Sequence, residues 1–277
     1  MDELFRIATI SRQVRYGGGA RVQEHGVPAE YIQVLVQGRF RVANGRDDGA
    51  EILAPPAMLG FQEVLKGTQL QSSATAETES IALVMPAEEF RSLLAANIEL
   101  AQGLFRMLLE SSAGTSAETS ERPPLEGRAS AFRYEHREAP LSTVEKVLCL
   151  QTVPILSHAT AEELYDVAAI AREISLTGGE CLFTPGAAAS IVLLLSGAIE
   201  LTSAAGRKDR ARAGASLGVH ETLAGASFAE TALTVESGRA LQIDREPLFD
   251  LLADRMDLLQ GVFSAVFHRE GGRPSGS

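Results

Sequence analysis

The chain has 277 residues, enough for two domains of ordinary size, and its 45% hydrophobic content excludes a disordered polymer. Its formal net charge of -11 argues against a phosphate-backbone partner, because nucleic-acid binding rests on clustered lysine and arginine. Cys149 and Cys181 are too few for a disulfide framework, no secretory signal is read, and runs such as Ile191 to Leu195 fall far short of a membrane span, so a cytoplasmic setting is expected, on its own or as the cytosolic portion of a membrane protein.

Asp2 to Ile10 reads as a helix with an apolar stripe of Leu4, Phe5, Ile7 and Ala8, stopped by Gly17-Gly18-Gly19. From Gly19 to about Leu83 short runs alternate with Gly and Pro. Tyr31 to Val36, Phe40 to Val42, Glu51 to Leu53 and Ser80 to Met85 are expected strands, a spacing that suggests a sandwich or barrel. Ala87 to Leu94 and Glu99 to Glu110 follow as helices broken near Asn97, with Phe90, Leu93, Leu94, Leu100, Leu104, Phe105 and Leu108 as a core-packing face. Residues 111–142, rich in Ser, Thr, Glu, Gly and Pro, read as a flexible linker. Helix, short strands and helices then recur, and residues 271–277 form a polar tail expected to be disordered.

That recurrence is an internal repeat. Leu59-Gly60-Phe61-Gln62-Glu63-Val64-Leu65-Lys66-Gly67 returns as Leu217-Gly218-Val219-His220-Glu221-Thr222-Leu223-Ala224-Gly225, an offset of 158 that continues without a gap to Gln102-Gly103-Leu104-Phe105 on Gln260-Gly261-Val262-Phe263. A repeat of this kind decides architecture before any local reading does. It predicts a first domain over 1–110 and a second over 143–270. Glu162 to Ile170 repeats the opening helix, but Thr143 to Leu148 and Val153-Pro154-Ile155-Leu156 precede it without a counterpart before Met1. Met1 therefore reads as a cut within a longer protein, or else as a divergent natural start.

The pattern resembles the cyclic-nucleotide-binding domains shared by catabolite activator proteins and protein kinase A regulatory subunits. Gly19, Gly26, Ala29, Tyr31, Val34-Leu35 and Gly38 carry the likeness, and Gly179, Gly186, Ala189, Ile191, Leu194-Leu195 and Gly197 repeat it. The resemblance implies two tandem double-stranded β-helix (jelly-roll) domains, mainly β, with flanking helices. Members that bind cyclic nucleotide carry a glutamate after the motif glycine for the ribose hydroxyl and an arginine further on for the cyclic phosphate. Here Gly60 and Gly218 keep the glycine, but Phe61 and Val219 take the glutamate's place, and Leu70 and Phe228 the arginine's. No arginine occurs from Asp47 to Phe90 or from Ala213 to Gly238. A buried phosphate without a cation is costly, so cyclic nucleotide is not expected as a ligand.

Glu63 and Glu221 read either as relocated ribose ligands or as carboxylates favoured near a helix N-terminus. Gln62, His220, Ser72, Ser73, Glu230 and Thr231 could line a pocket for an uncharged ligand or serve as ordinary turn residues. The five histidines show no metal-ligand spacing, which disfavours a metal-dependent cupin enzyme, and no nucleophile motif is found. Both cysteines read as structural. No cofactor is expected. The sequence reading is thus a non-catalytic regulatory or assembly module of a larger bacterial protein, acting on a protein partner, the parent chain or a second copy. A working cyclic-nucleotide sensor is the alternative.

Overall fold

The computed structural model describes residues 9–44, 50–113 and 139–271. They divide into two compact units, Met1–Asn97 and Ile98–Ser277.

The first unit runs β1 (Arg12–Tyr16), β2 (Arg21–Gln23), β3 (Tyr31–Gln37), β4 (Phe40–Asn44), β5 (Glu51–Leu53), β6 (Ala57–Leu59), helix α1 (Phe61–Lys66), β7 (Ser72–Ala76), β8 (Ser80–Pro86) and helix α2 (Ala87–Ala96). Its strands make two antiparallel four-stranded sheets, ordered β1-β8-β3-β6 and β2-β7-β4-β5. The period-two alternation of the strands sorts their side chains: Leu35, Ala82 and Val84 from one sheet meet Phe40, Val42, Ala74 and Ala76 from the other in a single core. This is a jelly-roll. The four expected strands are all present, and the sequence reading missed β1, β2, β6 and β7, which are short, polar or both.

The second unit opens with helix α3 (Ile98–Ala113) and continues with α4 (Thr143–Leu150), a 3₁₀ turn (Pro154–Leu156) and α5 (Ala161–Ile170). Its strands are β9 (Arg172–Leu176), β10 (Cys181–Phe183), β11 (Ser190–Thr202), β12 (Lys208–Arg212), β13 (Ser216–Leu217) and β14 (Thr231–Asp244). Helix α6 (Val219–Ala224) precedes β14, and α7 (Arg245–Asp254) and α8 (Met256–Gly271) close the unit. Capping boxes start α4 and α5: Ser142 and Glu145, then Thr160 and Glu163, exchange bonds with each other's backbone N–H groups. Here β11 and β14 pair along their whole length, with bulges between Leu194 and Ile199, so that one long ribbon serves both walls of the roll. In the first unit the same ribbon is divided into β3/β4 and β8/β7.

The expected boundary near residue 110 differs from the observed division, which assigns α3 to the second unit. The cause is aromatic packing. Phe105 stacks on Phe263 of α8 with ring centroids 4.2 Å apart and meets Phe249 of α7 edge-on at 6.2 Å. Arg106 Nε donates to the Ala224 carbonyl at 3.1 Å, and Arg245 of α7 donates to Gln102 Oε1 at 2.9 Å. Phe105 and Phe263 are repeat-equivalent, so the repeat closes partly on itself. The helix expected over residues 2–10, the centre of the expected linker and the polar tail lie outside the described residues, apart from helical Thr9 and Ile10 and the last turn of α8.

Candidate functional site: two equivalent clefts

The motif on which the repeat is centred proves architectural. Gly60 and Gly218 cap α1 and α6 with φ of 75° and 70°, in the left-handed region that glycine enters without strain. A Cβ there would lie 2.5 Å from the Tyr31 carbonyl oxygen and 2.2 Å from that of Ser190. Glycine is required because the short helix begins where the chain touches the first residue of the central strand.

Leu70 and Phe228, at the position the resemblance gives to the phosphate-binding arginine, are held identically by backbone. Leu70 N–H donates to the Val27 carbonyl and its own carbonyl accepts from Gly26 N–H, both at 2.9 Å. Phe228 N–H donates to Ala187 at 3.0 Å, and its carbonyl accepts from Gly186 N–H at 2.9 Å. Both side chains are buried. Each forms part of a cleft, and the two clefts occupy equivalent places in the repeat.

The first cleft, about 210 Å³, is lined by Val22, Gln23, Glu24, Glu30, Tyr31, Gln33 and Leu70, among others. Its two glutamines are tied down by hydrogen bonds. Tyr16 Oη donates to Gln33 Oε1 at 2.7 Å, and Gln33 Nε2 donates to the Val22 carbonyl at 3.0 Å. Gln23 Nε2 donates to Ser72 Oγ at 2.9 Å. Burial pushes the Tyr16 phenol above its ordinary value, and the nearby Arg12 guanidinium opposes that shift.

The second cleft, about 340 Å³, is lined by Cys181, Phe183, Thr184, Ser190, Val192, Phe228 and Gln242, among others. Phe183 lies flat on Phe228 with centroids 3.6 Å apart. Gln242 Nε2 donates to Ser190 Oγ at 3.2 Å and to Asp244 Oδ1 at 2.9 Å. Neither lining includes a lysine or arginine among the described residues.

Of the residues singled out from sequence, Leu70 and Phe228 line the clefts, and Ser72 braces the first through Gln23. Phe61 instead packs edge-on against Phe90 of α2 at 6.2 Å, and Val219 is buried at the start of α6. Ser73 Oγ accepts from His25 N–H at 3.0 Å. Gln62 is exposed, as is His220, whose Nε2 lies 3.5 Å from the Leu109 carbonyl. Glu63 and Glu221 sit in the first turns of α1 and α6, with no side-chain cap bond at either Gly60 or Gly218. Glu230 and Thr231 lie half-buried where β14 begins. Cys149 is buried as expected, but Cys181 is exposed at the cleft rim, because its strand β10 is an edge of the sheet. Sequence reading missed Gln33, Tyr31, Phe183 and Gln242. The repeat could have pointed to Gln33, Tyr31 and Phe183, since its offset steps from 160 at Gly19/Gly179 to 159 at Gly38/Gly197 and 158 at Gly60/Gly218. A gap-free alignment therefore pairs the wrong residues upstream of Gly60.

Among the described residues no helix is long and apolar enough to cross a membrane, and no three His, Cys, Asp or Glu side chains form a metal-binding group.

Residues 13–97 match the family model of the cyclic nucleotide-binding domain. Over 109 residues the chain is 28% identical to a CRP-like cAMP-activated global transcriptional regulator of Mycobacterium tuberculosis, a match covering 37% of this chain and 49% of that protein. The chain thus spans about half the length of the curated relatives it matches. Among solved structures, the regulatory domain of Toxoplasma gondii PKA with cAMP is 12% identical, with 97% of this chain and 89% of that one covered at a TM-score of 0.38. The N-terminal domain of a transcriptional regulator from Streptomyces coelicolor is 19% identical, with 44% and 89% covered and a TM-score of 0.38. The match to the cyclic nucleotide-binding domain family thus falls on the first jelly-roll, over residues 13–97.

Proposed function

We propose that the protein is a non-catalytic regulatory or assembly module whose two rolls have exchanged a phosphate-binding cradle for apolar packing, and that it acts through a protein partner. The observation that supports this reading is the side chain at the arginine position. Leu70 and Phe228 are anchored by the same pair of backbone bonds, are buried, and face clefts without a lining cation. A cyclic phosphate placed there would leave water without a countercharge, at a cost of several kcal/mol. Glu24 and Glu30 in the first cleft would add repulsion.

Calorimetry with millimolar cyclic AMP and cyclic GMP is expected to show no saturable heat. A micromolar dissociation constant for either would overturn the reading and restore the sensor function. The variant Leu70→Arg, which places a cation in the lining of the first cleft, is the constructive counterpart, expected to gain weak binding in the first roll alone.

A further inference from the structure

The two rolls differ most in what lies on the outside of their central sheet. In the second roll the outward row Glu173–Leu241–Leu193–Ser216 crosses β9, β14, β11 and β13. Leu241 and Leu193 are 0% and 3% exposed, and Leu195, two residues along β11, is 7% exposed. The chain segment that leads into α4 is tied to this face. Leu141 N–H donates to Glu173 Oε2 at 2.9 Å, Arg239 donates to the Ala139 carbonyl at 2.9 Å, and Arg239 and Glu173 also pair with each other. Leu141 is buried there.

The equivalent row in the first roll is Gln13–Leu83–Val34–Met58, across β1, β8, β3 and β6. It is at least as apolar, since Met58 replaces Ser216 and Ile81 replaces Arg239. Yet Leu83 is 39% exposed, Met58 48%, and Val36, the counterpart of Leu195, 51%. Single exposed apolar residues are ordinary, but a contiguous row on one sheet face marks an interaction surface.

We propose that this face of the first roll is a docking surface for a peptide segment of the same chemistry as Ala139–Leu156: a short extended stretch carrying a leucine, running into an amphipathic helix. The repeat supports this, because in the second copy the stretch leading into α4 is bonded to the same face of the same fold and buries Leu141 there. Charge follows the same logic. The second roll presents an Arg–Glu pair that grips backbone atoms, whereas the first presents Gln13 and Ile81, so its occupant is held by apolar contact and not by ion pairing. This inference stands apart from the reading of the clefts and does not depend on it.

The test uses the full chain labelled with ¹³C at its five methionine methyl groups and a synthetic peptide, Ala139–Leu156 with Cys149→Ser, as the probe. The Met58 resonance is expected to shift saturably while Met256, in the second unit, stays put. Leu83→Asp, an exposed position, is expected to weaken binding by about tenfold or more, since it places a carboxylate in an apolar contact. Absence of a Met58 shift would overturn the proposal, as would a shift of Met256 alone, equal binding of a scrambled peptide, or indifference to Leu83→Asp. Light scattering that gives a dimer mass abolished by Leu83→Asp would make the occupant a second copy and defeat the peptide proposal.

Discussion

Where the first roll lines its cleft with Gln23, Tyr31 and Gln33, the second has Phe183, Ser190 and Val192 at the equivalent places. The frame around them is unchanged, down to the two backbone bonds on Leu70 and Phe228. One cross-strand pair carries a glutamine in both rolls, but on opposite strands: Gln33 faces Val84 in the first, and Val192 faces Gln242 in the second. The partners explain the exchange. Gln33 has Tyr16 and the Val22 carbonyl to bond, whereas the second roll has Leu176 in place of Tyr16 and offers Ser190 and Asp244 on the other side. A buried amide is tolerated only where its bonds are met, so its position migrated with them. The comparison teaches that the fold constrains the backbone of this site far more tightly than its chemistry.

The strongest way to break the comparison is through α3, which follows the first roll in sequence and packs with the second. Phe105→Ala is expected to cost about 3–5 kcal/mol, because a fully buried ring stacked on Phe263 is removed. Native-state hydrogen exchange should show the loss in β11 and β14 and not in β3 and β8. Loss of protection confined to β3 and β8 would restore the division near residue 110.

Next in size are the motif glycines. Gly218→Ala places a Cβ 2.2 Å from the Ser190 carbonyl oxygen and 2.8 Å from the Phe228 ring, whereas Gly60→Ala meets the Tyr31 carbonyl oxygen at 2.5 Å and Leu70 only at 3.7 Å. Both also force a side chain to positive φ, so losses on the order of 2–3 kcal/mol are expected, the larger at Gly218. Denaturant midpoints of the two variants measure the difference. Equal or reversed losses would mean that the Phe228 ring swings aside freely.

These two cases also mark what sequence could and could not reveal. The jelly-roll and its duplication were legible because glycines at turns and a shared Leu-Gly motif fix backbone geometry, and backbone geometry is what repeats. Leu70 and Phe228 were legible for the same reason, since both follow the motif glycine at an unbroken offset. Gln33 and Phe183 were not, because single-residue shifts in the repeat lie between them and the motif, and Gln242 was not, because its counterpart at the unbroken offset is the apolar Val84. That Phe61 lies away from the cleft was not legible either, because its direction is set by Phe90, a partner that no local pattern names. The membership of α3 was hidden likewise, depending on a ring 158 residues away.

The smallest expected effect sharpens the contrast between the polar and apolar clefts. Tyr16 donates to Gln33 and meets Phe40 edge-on at 5.9 Å, so Tyr16→Phe removes one bond and keeps the ring, at a cost of about 1 kcal/mol. Its pH dependence separates the bond from the packing. Burial raises the Tyr16 phenol above its ordinary value, with Arg12 opposing, so the unfolded chain releases that proton at lower pH than the folded one. The stabilisation is therefore complete below the ordinary tyrosine value of about 10 and is lost as pH rises through the raised value. Unfolding of the first unit, followed by β3 amide exchange, should fall more steeply above that pH in the parent chain than in Tyr16→Phe. The second unit supplies an internal control, because Leu176 stands at the equivalent position and carries nothing to titrate. Identical alkaline slopes in parent and variant would mean that the phenol is as well solvated in the folded chain as in the unfolded one, and that its bond to Gln33 adds no pH-dependent stability to the first unit.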